Sequence, residues 1–568
     1  MTTASDALQP DQPAKIEGND APILATATNP LWPRIERVME AISERMNPIL
    51  VKEARQAMKS KQFSVTFSLL LMFGWLYTVF FVVVNLPGVF YSPFGPLMLV
   101  GYYLILAVPL LIVVPYASFR SLAAELEDGT FDLLSITALS ARQIVTGKLG
   151  SSVLQMMVYY SALAPCIAFT YLLRGIDVVT IALLLTYTFL ASLMLSILAL
   201  TLSTVTRARH WQVLLSVLLV IALLLFGFFW CLMMFGIIEE AQGMPYDQPE
   251  WWMVNAMIIS FYVPLAILFV LIAAGQVTFA SENRSTGVRV VLMVLQALIV
   301  GWTLYWYLLV GQDEVLMVGA AWITILWAVA GAFLIGETAE LSPRARRELP
   351  QSVLGRMAFT WFNPGSGTGY VFALLNALGG MLTLALIAQL AVTVTGVASW
   401  NGPYRWNHWW IVMLSYLAIY LGLARLCGIV LQWWRMGGML GTFISYLVLL
   451  IMGVIGPFAL QVIVAWITDE GLGESFEYTL LQVPNWVWTI YKVGENTNIG
   501  LSGSWEVAPY LLAPVATLVF LFNFLLAAKE VEQTRLVAPQ RVRDDDEELH
   551  PTTKAPKRGP WDEAPAAP

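Results

Sequence analysis

The sequence predicts an all-α fold, a polytopic helical membrane protein with about twelve transmembrane helices. Three observations predict it. The 568 residues are 58% hydrophobic and only 12% charged, and the mean hydropathy is +0.70. Apolar runs of about 20 residues recur, the length a helix needs to cross a hydrocarbon core of about 30 Å. The basic residues then gather on one side of the serpentine that these runs describe. A soluble chain would have to hide every run in a single core, which a chain of this length does not build.

Residues 1–32 are rich in Ala, Thr, Asp and Pro and read as a disordered cytoplasmic N-terminus. No basic start followed by an apolar stretch occurs there, so the first span is expected to act as its own insertion signal. Residues 33–63 read as an amphipathic elbow. Ile35, Val38, Met39, Ile42 and Met46 recur at helical spacing opposite Arg34, Arg37, Glu40, Ser43 and Glu44. Asn47-Pro48 interrupts that helix and starts another, because Asn caps a free helix N–H and Pro suits the first turn. Lys52, Arg55, Lys59 and Lys61 follow just before the membrane, and are expected to face the anionic lipids of the inner leaflet. A soluble docking helix is the alternative.

The spans are expected near Ser64–Val84, Leu97–Ser118, Ser151–Leu173, Val178–Ser203, Gln212–Ile237, Val254–Ala274, Val290–Val310, Val315–Ile335, Thr368–Val394, Trp409–Leu431, Met439–Ile467 and Val507–Ala527. With both termini cytoplasmic, all but three of the 31 lysines and arginines fall inside; the three outside are Arg174, Arg405 and Lys492. The acids are spread far more evenly, so the asymmetry is that of the positive-inside rule and places the chain as a multi-pass protein of a cell inner membrane. The spans divide into a six-span part at 64–275, two further spans at 276–335, a cytoplasmic linker at 336–367, a four-span part at 368–530 and a disordered acidic tail at 531–568. The segment from Leu481 to Trp488 reads as an aromatic anchor at the interface, with membrane re-entry or the lining of an exit route as alternatives.

Between the second and third spans, within residues 119–150, lies the stretch Glu125-Leu126-Glu127-Asp128-Gly129-Thr130-Phe131-Asp132-Leu133-Leu134, continuing through Ser140 to Gly147-Lys148. Gly129 permits an unusual backbone angle, Thr130 can cap, and Ser140 offers an N-cap ahead of Ala141–Leu149. Physically this is a short helix, a turn and the start of a span, and a plain connecting loop would serve as well. The stretch resembles the cytoplasmic coupling element of type-2 ABC exporter permeases, whose pattern runs roughly E-R-E-x-G-T-L-E-L-L-L-S-T-P-L-S and then I-x-x-G-K. Glu125, Glu127, Gly129, Thr130, Leu133, Leu134, Thr137, Leu139, Ser140, Gly147 and Lys148 match it. Leu126 stands where the family has a basic residue, and Ala138 where it has proline. The resemblance spans about residues 33–274.

The resemblance implies a permease subunit that is not itself an enzyme. A separate ABC ATPase chain would hold ATP and Mg, and a second permease chain, identical or not, could complete the assembly. Glu125, Glu127, Gly129, Thr130, Leu133, Leu134, Gly147 and Lys148 are the implied coupling residues, with Glu125 and Glu127 pairing to basic ATPase residues and Leu133 and Leu134 filling an apolar groove. The alternative function is a non-transporting membrane scaffold or assembly factor. The residues themselves supply little other chemistry. No phosphate-binding loop occurs: Arg142 and Leu149 stand where Gly and Ser or Thr would be needed around Gly147-Lys148. His210, His408 and His550 are far apart, so no metal site is expected. Cys166, Cys231 and Cys427 lie in spans, without ligand spacing or an expected disulfide. No dense basic patch suggests nucleic acid. Arg425, the main ionisable residue inside a span, is expected to snorkel toward the cytoplasm.

Overall fold

The computed structural model describes residues 47–129, 139–206, 208–240, 243–278, 282–339, 359–395, 402–433, 438–467, 478–495 and 504–534. The regular structure among them is helical throughout, with no strand, and twelve helices are long and apolar enough to cross a membrane. The elbow therefore falls partly outside the described residues; of it, α1 (Pro48–Lys59) is seen, and α2 (Lys61–Val84) begins the first span. The second span joins α3 (Gly95–Val108) through a π-helical turn at Pro109–Val113 to α4 (Val114–Glu127). Then follow α5 (Ala141–Leu172), α6 (Val178–Ser203), α7 (Arg209–Glu239) and α8 (Pro249–Val277). The second half comprises α9 (Ser285–Val310), α10 (Asp313–Leu334), α11 (Ser366–Thr395), α12 (Gly402–Trp433), α13 (Met439–Ile467), a short α14 (Trp486–Glu495) and α15 (Ala508–Thr534).

The expected spans agree with these helices, with one instructive difference. The second span continues to Glu127 rather than Ser118, and the third starts at Ala141 rather than Ser151. Hydropathy marks only the part of a helix that lipid can surround. The extensions carry Ser121, Glu125, Arg142, Gln143, Thr146 and Lys148, polar residues compatible with helix but not with an apolar window. Much of the stretch read as helix and turn is thus the ends of two long helices.

Two apolar cores organise the molecule. One gathers Met98, Tyr102, Leu106, Met156 and Tyr159 with neighbours from α2 to α7. The other gathers Trp327, Tyr370, Met381 and Leu421 with neighbours from α9 to α15, and reaches Leu268 of α8. Helix α8 packs against α5 and α6 on one side and α9 on the other, and so joins the halves.

The end of the bundle that bears α1, which we call the basic end, is stitched by buried ions in the second half. Arg289 is fully buried; its guanidinium donates to Glu337 Oε2 at 2.6 Å, to Ser285 Oγ at 2.7 Å and to the Trp361 carbonyl. Arg425 is also buried. It donates to Glu530 Oε2 at 3.0 Å and to the Asn523 carbonyl at 2.9 Å, rather than snorkelling to solvent. The Glu530 carboxylate in turn accepts from the first backbone N–H groups of α11, Ser366 at 3.0 Å and Gly367 at 2.9 Å. A carboxylate here satisfies both the arginine and the helix start.

At the opposite end, residues 478–495 fold back into the bundle. Trp486 Nε1 donates to the Leu450 carbonyl at 3.1 Å, and Leu450 lies about 25 Å along α13 from its Ile467 end at roughly 1.5 Å of rise per residue. Tyr420 donates to the Pro484 carbonyl at 2.7 Å and Tyr416 donates to the Val483 carbonyl. Gly453 makes this approach possible, since a Cβ there would lie 2.0 Å from the Tyr420 hydroxyl oxygen. Gln482 is fully buried, donating to the Pro457 carbonyl and to Gln461 and accepting from Asn485. The segment is packed against α12 and α13 and hydrogen-bonded to both. Irregular backbone at this depth persists because protein groups meet its polar atoms.

Candidate functional site

The residues singled out around the second connection meet at the basic end, where α1, α4 and α5 converge. Each helix starts for a local reason. Asn47 caps α1, its Oδ1 accepting from Ile49 N at 3.1 Å with Pro48 in the first turn. Ser140 caps α5 in a reciprocal box: Ser140 Oγ accepts from Gln143 N at 3.3 Å, and Gln143 Oε1 accepts from Ser140 N at 2.9 Å. The two caps are tied together, because Asn47 Nδ2 donates to the Gln143 carbonyl at 2.5 Å. Gly129 has φ +67°, the left-handed conformation that its lack of a Cβ allows, and ends the turn after α4.

Gly147 and Lys148 have distinct roles in this contact. A Cβ at Gly147 would lie 2.9 Å from the side chain of Ile49, so glycine lets α1 lie directly on α5. Ile49, Leu122, Ile144 and Leu200 form a small apolar core beneath it. Lys148 points into the same junction with its side chain 1% exposed. Its Nζ lies 3.2 Å from Glu53 Oε1, 3.0 Å from Glu125 Oε2 and 3.0 Å from the Ser121 carbonyl oxygen. Lys52 covers the cluster from outside, 3.5 Å from Glu125 and 3.7 Å from Glu53. Two lysines and two glutamates balance, and the central ammonium donates to Glu53 Oε1 and the Ser121 carbonyl while Glu125 Oε2 lies at ion-pair distance.

The structure therefore brings Glu125, Gly147 and Lys148 together and adds Lys52 to them. Glu125, expected to reach a partner, is instead turned inward, because the buried Lys148 ammonium needs its carboxylate. Glu127 is half-buried at the last residue of α4, and Gly129 is exposed. Thr130, Leu133 and Leu134 lie outside the described residues. Arg55, Lys59 and Lys61 are exposed along α1 and the start of α2. The residue that sequence reasoning missed is Glu53. Its signal was present: Glu53 follows Ile49 by one helical turn and so falls on the apolar, inward side of α1, where an acid needs a partner.

Among the described residues no group of three His, Cys, Asp or Glu side chains is placed to hold a metal ion. The three cysteines are free thiols. No family model, curated protein or solved structure matches the chain.

Proposed function

We propose that the chain is the transmembrane permease subunit of an ATP-driven exporter of the type-2 ABC kind, with ATP hydrolysed on a separate partner chain. The observation that carries this reading is the α4–α5 junction. Two helices of the bundle extend past their apolar lengths into a connection bearing the coupling pattern, and the Lys148 cluster braces them to α1. A push on that connection would reach the bundle core through α4 and α5 instead of dissipating in a loose loop. In this reading the connection, the exposed basic residues of α1 and both chain termini face the cytoplasm of a bacterial inner membrane. Glu127 and the Leu133–Leu134 pair meet the ATPase, while Lys148 and Glu125 hold the receiving surface in shape.

The test is isolation of the full chain from its native membrane in mild detergent, with mass-spectrometric identification of what accompanies it and assay of ATP hydrolysis. An ABC ATPase is expected to co-purify. Replacing Leu133 and Leu134 together by Asp should release it, because two charges would enter an apolar contact. Glu127→Ala alone should do little, since an exposed ion pair contributes only about 0.2–1 kcal/mol. A parental chain that brings down no ATPase, or a double variant that retains it fully, defeats the reading; a scaffold would then remain.

A further inference from the structure

The second span, Gly95–Glu127, is interrupted midway in its hydrogen bonding. The N–H of Val114 goes to the Pro109 carbonyl five residues back, which makes Pro109–Val113 a π turn. Residue 115 is proline and has no N–H to give. The Leu110 carbonyl is therefore deprived of both the donor it would have in an α-helix, Val114, and the donor it would have in a π-helix, residue 115. Ser192 of α6 supplies the missing proton, Oγ to Leu110 O at 2.5 Å. Leu110 and Ser192 are both fully buried, so the exchange is with protein and not with water.

The two arms on either side of this turn make different side-chain hydrogen bonds, although both also pack against α5 and α7, and α4 packs most extensively on α6. Above it, the Tyr102 hydroxyl bonds Thr78 of α2 at 2.6 Å, and Tyr103 bonds Thr188 of α6 at 2.8 Å and accepts from Trp230 of α7 at 3.0 Å. Below it, α4 is held to α5 by Ser118 with Ser152 at 2.7 Å, by the Ser121 carbonyl with Lys148, and by Glu125 with Lys148. Single π turns inside α-helices recur where helices bend or change register in function, and a helix lacking interior N–H groups bends at that point most easily.

We propose that Pro109–Val113 is a pivot that lets α4 move while α3 stays fixed, and that Ser192 is its latch. The purpose of the pivot rests on the coupling reading; its existence does not. Under that reading, displacement of the α4–α5 connection rotates α4 about the turn, breaking the Ser192–Leu110 bond and reshaping the contact of the second span with α6.

Hydrogen exchange on the purified full chain in detergent, followed by peptide, tests the pivot without any partner. Ser192→Ala is expected to speed exchange of the amides of 111–122 at least tenfold while those of 97–107 change less than twofold. Adding Pro115→Ala to Ser192→Ala supplies a backbone N–H to the turn and should return exchange to within threefold of the parent. Ser192→Thr keeps the hydroxyl and should match the parent. Where Ser192→Ala fails to fold, Pro115→Ala alone serves, and should slow exchange of 111–122 below the parental rate. Equal acceleration in both arms, no acceleration, failure of the double variant to recover, or faster exchange in Pro115→Ala each overturns the pivot. Loss of the ATPase partner in the co-purification above would leave this result unchanged, so the two ideas fail separately.

Discussion

Replacing Lys148 by Met tests the junction most directly. The ammonium lies 3.2 Å from Glu53 and 3.0 Å from Glu125. At an effective dielectric constant of about 20, unit charges roughly 3 Å apart attract by about 5–6 kcal/mol, before desolvation is counted. Desolvation cancels much of that for the intact cluster, but it does not vanish when one partner is removed. Methionine would leave two carboxylates, with side chains 9% and 15% exposed, facing each other across an apolar side chain. Lys52, 56% exposed and 3.5 Å from Glu125, compensates only weakly. Loss of one partner from a buried pair costs about 3–5 kcal/mol, and that is the expected loss for Lys148→Met. The assay is the unfolding free energy of the purified chain from a denaturing-detergent titration, followed by helical circular dichroism. The triple variant Lys148→Met/Glu53→Gln/Glu125→Gln removes the stranded charges and should recover more than half of the loss. A single variant within about 0.5 kcal/mol of the parent would show that the cluster carries no net ionic stabilisation, since a buried charge left alone is costly. A triple variant no more stable than the single would show that the lysine acts by packing alone, and would refute the reasoning.

Further outcomes follow from other contacts. Gly147→Ala should push α1 off α5, destabilise the chain by about 1–3 kcal/mol and speed hydrogen exchange across 49–59, while Gly227→Ala, whose Cβ meets nothing within 4 Å, should not. Arg425→Leu should cost about 3–5 kcal/mol in the same titration, with part regained by adding Glu530→Gln; the gain is limited because Glu530 also accepts from the start of α11. Lys52→Ala should change stability by less than about 1 kcal/mol, as expected for an exposed partner. In a background without native cysteines, Ser475→Cys but not Ser140→Cys should react with an impermeant thiol reagent added to intact cells; labelling of Ser140→Cys would reverse the orientation.

Span number and approximate position were legible because each depends on local apolar length, which is written in consecutive residues. The helix starts at Asn47-Pro48 and Ser140 were legible for the same reason: a cap needs only its own residue and those two or three places on. What was not legible was the direction in which charged side chains point. Glu125 and Lys148 belong to one motif, yet nothing local says that their ionised ends meet, or that Glu53 closes the cluster from a different helix. Arg425 misled in the same way. A long basic side chain near a span end usually reaches for water, and only the approach of Glu530, far along the chain, makes burial favourable. The packing of 478–495 on α12 and α13 was hidden because its aromatic residues suit an interface as well as a buried slot; the buried Gln482 becomes informative only once α13 stands beside it.

The segment 478–495 also constrains the order in which the protein is built. Asn485 and Thr489 find their partners inside the segment, but the Gln482 amide donor and the Val483 and Pro484 carbonyls would be unmet polar groups if 478–495 entered lipid by itself, and the stretch is too short to cross as a helix. Its hydrogen-bonding partners are supplied by α13, through Gln461 and the Pro457 and Leu450 carbonyls, and by α12, through Tyr416 and Tyr420. Those helices must already be side by side before the segment has anywhere to pack. α15, the helix that packs most extensively on α12, is synthesised after it. Biogenesis of this half therefore runs as a sequence in which the cleft is assembled first, filled second and braced third. A chain that stopped after Ile467 would leave Tyr416, Tyr420 and Gln461 without the partners that 478–495 supplies here.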